Sequence, residues 1–150
     1  HCIWDEASRG WFTGDTFGLS YRECDSAKGA WAMPTSSPVQ FEPEELRQSI
    51  ARLLAREPEA MYLTHYGRVE EPTRLAGLLL EQLDGMVALA EGLRQAPARH
   101  QALVDGMVAL YRAQLQRHGV TDIDACLKGL ALDIELNAQG LAVWLDRDAR

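Results

Sequence analysis

The stretch WFTGDTFG, residues 11–18, is a short apolar run that ends in an aspartate held between Gly14 and Thr16. A second stretch has the same design: AMYLTHYG, residues 60–67, runs apolar into His65. Each reads as a strand delivering one ligand-capable side chain to a glycine-containing loop. Taken alone, Asp15 is either a turn aspartate or a carboxylate open to cations, with Thr16 as its hydrogen-bonding neighbour. Taken alone, His65 is either a loop histidine bonded to backbone or a neutral imidazole ligand. The pair decides more than either member. Fifty residues separate them, and a helix lies between. A strand–helix–strand unit can return its second strand beside the first. Both exit loops then lie at one edge of the sheet, where sites in open α/β sheets are found.

Working outward, residues 1–6 read as a strand, Ala7-Ser8-Arg9-Gly10 as a turn, and Trp11-Phe12-Thr13 as its hairpin partner. Residues 14–41 are rich in Gly, Ser, Thr and Pro and read as a long loop, a feature that usually carries function. Glu42-Pro43-Glu44-Glu45 opens a helix, because proline suits the first helical position and carboxylates there favour the dipole. Leu46, Ile50, Leu53 and Leu54 give that helix one buried face, and Pro58 closes it. Met61-Tyr62-Leu63 is the strand that leads to His65.

Beyond Pro72 the character changes. Leucine, methionine and valine at helical spacing predict one long helix that stops before Pro97 and a second over 98–118, stopped by Gly119. The two share a phrase: Asp-Gly-Met-Val-Ala-Leu at 84–89 recurs at 105–110. Two helices with the same kind of buried face, packed as an antiparallel hairpin, account for it. Thr121-Asp122-Ile123-Asp124 resembles a capping box. It predicts a third helix to about 136, which Asn137-Ala138-Gln139-Gly140 interrupts before a last apolar helix from Leu141. The expected organisation is mixed α/β over 1–70 and all-α over 71–150.

FTGDTFG followed by YLTHYG resembles the C-terminal half of a metallo-β-lactamase-fold metallo-hydrolase. The resemblance covers roughly residues 1–70 and rests on the ordered pair of motifs. It implies an α/β fold: half of an αββα sandwich, followed here by an all-α helical extension. It also implies two divalent transition-metal ions, zinc first, with iron or manganese as alternatives. Asp15 matches the metal-bridging aspartate and thus a catalytic position, and His65 matches a ligand of the second metal. Tyr21 and Tyr66 flank the site as candidate substrate-binding residues, with Arg22 beside them. The implied activity is hydrolysis of an ester, lactone, thioester, lactam or phosphoester by a metal-activated water. The family's H-x-H-x-D-H cluster does not occur around any of the four histidines. His1 reads as a remnant of the strand after an upstream ligand. The chain therefore reads as starting inside a larger fold, and residues 1–150 alone are expected to be inactive. The alternative is a helical interaction or homodimerisation module with a degenerate metal site, suggested by the apolar spacing after residue 71.

Composition excludes other classes. The formal charge is −7 and the apolar share is 47%. Acidic and basic residues number 11 and 7 over 1–70, and 11 and 8 over 71–150, so no basic stripe offers itself to nucleic acid. No apolar run is long enough for a membrane helix. No G-x-S-x-G and no phosphate-binding P-loop motif occurs. Cys2, Cys24 and Cys126 are odd in number and far apart. They read as free thiols of a reduced, cytoplasmic protein; a small-molecule substrate is what the resemblance implies.

Overall fold

The computed structural model describes residues 1–36 and 41–148; residues 37–40 of the expected long loop lie outside that description. Strands β1 (Ile3–Asp5) and β2 (Gly10–Gly14) form the expected hairpin. Helix α1 (Pro43–Leu54) then crosses over to β5 (Ala60–Leu63), which pairs parallel to β2. This is the strand–helix–strand unit read from the two motifs. Strand β6 (Gly67–Val69) was not expected from the sequence. It pairs antiparallel with β5 and completes a sheet of order β1-β2-β5-β6. The loop after β2 also holds structure: β3 (Leu19–Ser20), a 3-10 turn at Arg22–Cys24, and β4 (Ala32–Met33), with β3 and β4 paired in a second small sheet.

Alternation gives the four-stranded sheet two unlike faces. Trp4, Trp11, Met61 and Val69 stand in one row across the strands. The Trp11 indole donates to the carbonyl of Leu53, which binds this row to α1. Ile3, Phe12, Tyr62 and Arg68 stand in the opposite row. Phe12 stacks on Tyr62 at 4.5 Å, and Ile3 and Phe12 stay exposed.

Helices α2 (Pro72–Gly92), α3 (Arg99–His118), α4 (Ile123–Gly129) and α5 (Ala131–Asp148) follow. A β-carbon on Gly85 would meet Leu110 at 2.9 Å, and one on Gly106 would meet Leu89 at 2.5 Å. The glycine of each copy of the repeated phrase thus admits the leucine that ends the other copy. Because 85 pairs with 110 and 106 with 89, α2 and α3 run antiparallel, as the phrase suggested. Gly119 adopts φ 85°, and the N–H groups of Gly119 and Val120 return to the Leu115 carbonyl, closing α3.

The last third departs from expectation. The cap of α4 is Asp122, which accepts from the N–H of Ala125 at 3.0 Å, one residue later than the capping-box reading. The helical break falls at Leu130, not at 137–140. Asn137 and Gly140 lie inside α5 because the backbone at 34–36 packs against it. The Asn137 side-chain oxygen accepts from the Ser36 N–H at 2.8 Å, and its amide donates to the Tyr111 hydroxyl at 2.9 Å and to the Pro34 carbonyl at 3.3 Å. Tertiary bonds thereby hold a weak helix former in the helix.

Residue 70 marks a change of element type but not a gap in the core. One apolar cluster joins Phe17, Ile50, Met61 and Leu63 to Leu75 and Leu79 of α2. The other joins Trp31 and Met33 to Leu83, Met86, Leu103, Met107 and Leu141. The apolar positions of α2 and α3 are therefore used within the chain. The reading of three free cysteines is corrected. Cys24 and Cys126 form a disulfide across 102 residues, with Cα atoms 5.5 Å apart. Packing of α4 on the 3-10 turn brings them together, and no spacing rule could show that. Only Cys2 is free. The bond removes the ground on which a reducing compartment was read. Among the described residues, no helix is long and apolar enough to cross a membrane.

Candidate functional site

Asp15 follows β2 directly. Thr13 ties the end of that strand to its neighbour, its hydroxyl lying 3.4 Å from the Tyr62 carbonyl. Gly14 turns the chain at φ 54°, and Gly18 leaves at φ 77° against the Met33 backbone. The Thr16 N–H donates to Thr13 and the Gly18 N–H to the carbonyl of Asp15, at 3.1 and 3.0 Å. These turns hold the Asp15 backbone and leave its carboxylate outward. Thr16, expected to support that carboxylate, forms no hydrogen bond to it among the described residues.

His65 follows β5, the parallel neighbour of β2, so both side chains emerge at the same sheet edge. His65 Nε2 lies 3.9 Å from Asp15 Oδ1, and both side chains are about half exposed, at 49% and 52%. Neither makes another hydrogen bond or ion pair among the described residues. The structure thus brings together the two residues the motifs singled out.

The flanking tyrosines diverge. Tyr21 lines a cleft of about 270 Å³ together with Asp15, His65, Asp133, Leu132 and Leu136. Its hydroxyl donates to Asp133 Oδ1 at 3.3 Å. Burial first, then the charge and hydrogen bond of Asp133, then the charge of Asp15, push the Tyr21 phenol up to about 12. Burial also raises Asp133, against the opposing effects of the Tyr21 hydrogen bond and the nearby His65 charge. Tyr66 is turned elsewhere. Its hydroxyl donates to Asp25 at 2.8 Å, the Arg22 guanidinium stacks over its ring at 4.6 Å, and it does not line the cleft. Tyr66 and Arg22 therefore anchor the loop that carries His65 to the 3-10 turn.

Two of the remaining histidines are engaged with other partners. His100 pairs with Glu135 at 3.0 Å. His118, buried at the end of α3, bonds through Nε2 to the Gly29 carbonyl at 2.9 Å.

Sequence reasoning missed Asp133, Leu132 and Leu136. In the chain Asp133 looks like any carboxylate in the first turn of a helix. Its meeting with Tyr21 spans 112 residues and leaves no local signal.

No protein-family model, curated protein or solved structure matches the chain. The functional reading rests on the residues and their geometry.

Proposed function

We propose that this chain contributes two ligands, Asp15 and His65, to the binuclear metal centre of a metallo-β-lactamase-like hydrolase. The observation that carries the reading is the 3.9 Å approach of these two side chains at the exit edge of two parallel strands. The donor set fits the metal. Two ligand atoms about 2.1 Å from one tetrahedral zinc stand about 3.4 Å apart. The observed spacing is wider by an amount that a small side-chain rotation closes. A carboxylate with imidazole also suits zinc, iron or manganese.

A catalytic zinc takes three protein ligands and keeps an open position. Among the described residues no group of three His, Cys, Asp or Glu could hold a metal. The reading therefore requires further donors beyond these residues, and residues 1–150 by themselves are expected to lack activity. Bound metal would lower the pKa of a water and polarise a carbonyl or phosphoryl oxygen. The chain's own residues then have separate tasks. Asp15, with two oxygens and a backbone fixed by turns, would hold the metal and orient the attacking water. The loop that carries His65 is tied to the 3-10 turn by the hydrogen bond from Tyr66 to Asp25. Tyr21, whose phenol keeps its proton well above neutral pH and donates it to Asp133, presents an uncharged hydroxyl oxygen to the cleft.

Elemental mass spectrometry of the full-length protein tests this. About two transition-metal ions per chain are expected, with metal and hydrolysis both lost in Asp15→Ala. Absence of metal after zinc is offered, or an Asp15→Ala protein with full metal and activity, would overturn it.

A further inference from the structure

The cleft beside Asp15 and His65 has a wall supplied by α5, whose residues lie more than 110 positions from Asp15 in the chain. Leu132 and Leu136, one helical turn apart, are two of the four large apolar side chains that stand exposed among the described residues, at 69% and 42%. The other two, Ile3 and Phe12, lie on the open face of the sheet. Leu19 extends the apolar wall from β3. The polar lining is Asp15, Asp133, Tyr21, His65, Thr35 and Asn137, without lysine or arginine among the described residues. The larger cleft on the other side of Asp15, about 340 Å³, is lined by Glu42 and Glu45, and Glu42 pairs with Arg147.

Phosphate esters are ordinarily gripped by arginine or lysine. Here the wall presents a carboxylate in their place. Resting on the hydrolase reading, we propose that this cleft takes an uncharged acyl ester, lactone or thioester, with its apolar arm along Leu132 and Leu136, and that it disfavours phosphate esters. Hydrolysis of such a substrate needs only water. The water oxygen bonds to the acyl carbon, the bond to the alkoxide or thiolate breaks, and that leaving group takes a proton from the water. A carboxylic acid and an alcohol or thiol result.

Leucine-methyl NMR of the full-length protein tests the proposal, with ethyl butanoate, ethyl hexanoate and phenyl phosphate as probes, with and without added zinc. In zinc-free protein the esters are expected to shift Leu19, Leu132 and Leu136. Affinity should rise about threefold to fourfold per methylene between the two esters, and phenyl phosphate should leave these methyls unmoved. Leu136→Asp and the milder Leu136→Ser should each weaken ethyl hexanoate several-fold, and Leu136 is not part of the core. Phenyl phosphate shifting the same leucines in zinc-free protein would overturn the proposal. So would ester shifts confined to other residues, or an unchanged affinity in both variants. Zinc uptake, read in the same samples, reports separately on the hydrolase reading: the cleft can fail while metal binds, and metal can fail while the esters still bind.

Discussion

The Ser36 carbonyl occupies the space that a β-carbon on Gly140 would need, so the backbone before residue 37 lies directly on α5. The neighbouring Ser36–Asn137 bonds depend on that approach, because Ser36 both donates its N–H to the Asn137 side chain and gives its hydroxyl to the Asn137 carbonyl. Gly140→Ala should therefore destabilise the fold by about 3 kcal/mol, since the atom it displaces is backbone and cannot swing aside. Gly77 provides the contrast. It lies within α2, and a β-carbon there would meet nothing within 4 Å. Gly77→Ala should stabilise by about 1 kcal/mol through helix propensity. Urea unfolding of the two variants should move the midpoint in opposite directions.

The Cys24–Cys126 bond closes a loop of 102 residues. Replacing both cysteines by serine should cost about 2–5 kcal/mol, because the unfolded chain regains the freedom the link removes. Thiol titration under denaturing conditions should find one reactive group per chain before reduction, Cys2, and three afterwards. Three thiols without reductant would show the bond to be absent.

Tyr21 should titrate late. Its phenol is pushed from 10.0 up to about 12, so the folded state holds a proton that the unfolded state releases. The folded state then binds more protons between those two values, and stability must fall as pH rises through that window. Below pH 10 this residue contributes no pH dependence. Ultraviolet absorbance of tyrosinate follows the transition directly, and Tyr21→Phe should remove it. Asp133→Asn should lower the transition yet leave it above 10.0, because burial, the larger cause, remains.

Asp15 and His65 should act as a pair. With one ion shared between them, Asp15→Ala and His65→Ala should each weaken zinc binding by more than the roughly 10–100-fold that supporting residues cost. The double variant should lose little beyond the worse single one, since either change breaks the same site. Calorimetric titration of zinc into the full-length protein measures all three. Independent, additive losses would mean that the two side chains serve separate sites.

Much of this arrangement was present in local chemistry. The apolar runs into Asp15 and His65 specified two strands, and Pro43 with its carboxylates specified the helix between them. Short-range steric and capping preferences, legible in a few residues, set these features. The parallel pairing followed because a crossover helix leaves few other ways to bury both strands. The repeated phrase at 84 and 105 likewise pointed to packed helices, although only the structure shows each glycine admitting the other's leucine.

What the chain could not disclose were meetings set by global packing. Cys24 finds Cys126 because α4 rests on the 3-10 turn. Asn137 and Gly140, weak helix formers that read as a break, are helical because Ser36 supplies the hydrogen bonds and needs the space. Strand β6 is only three residues long and forms because β5 offers it an edge. Asp133 and the two leucines enter the cleft by the same route. Sequence alone determined the two motif strands, the helix between them and the edge that carries Asp15 and His65, because those outcomes follow from backbone preferences and hydrophobic spacing within each segment. Tertiary structure alone decided what faces that edge, because contacts between residues a hundred positions apart depend on how whole helices pack.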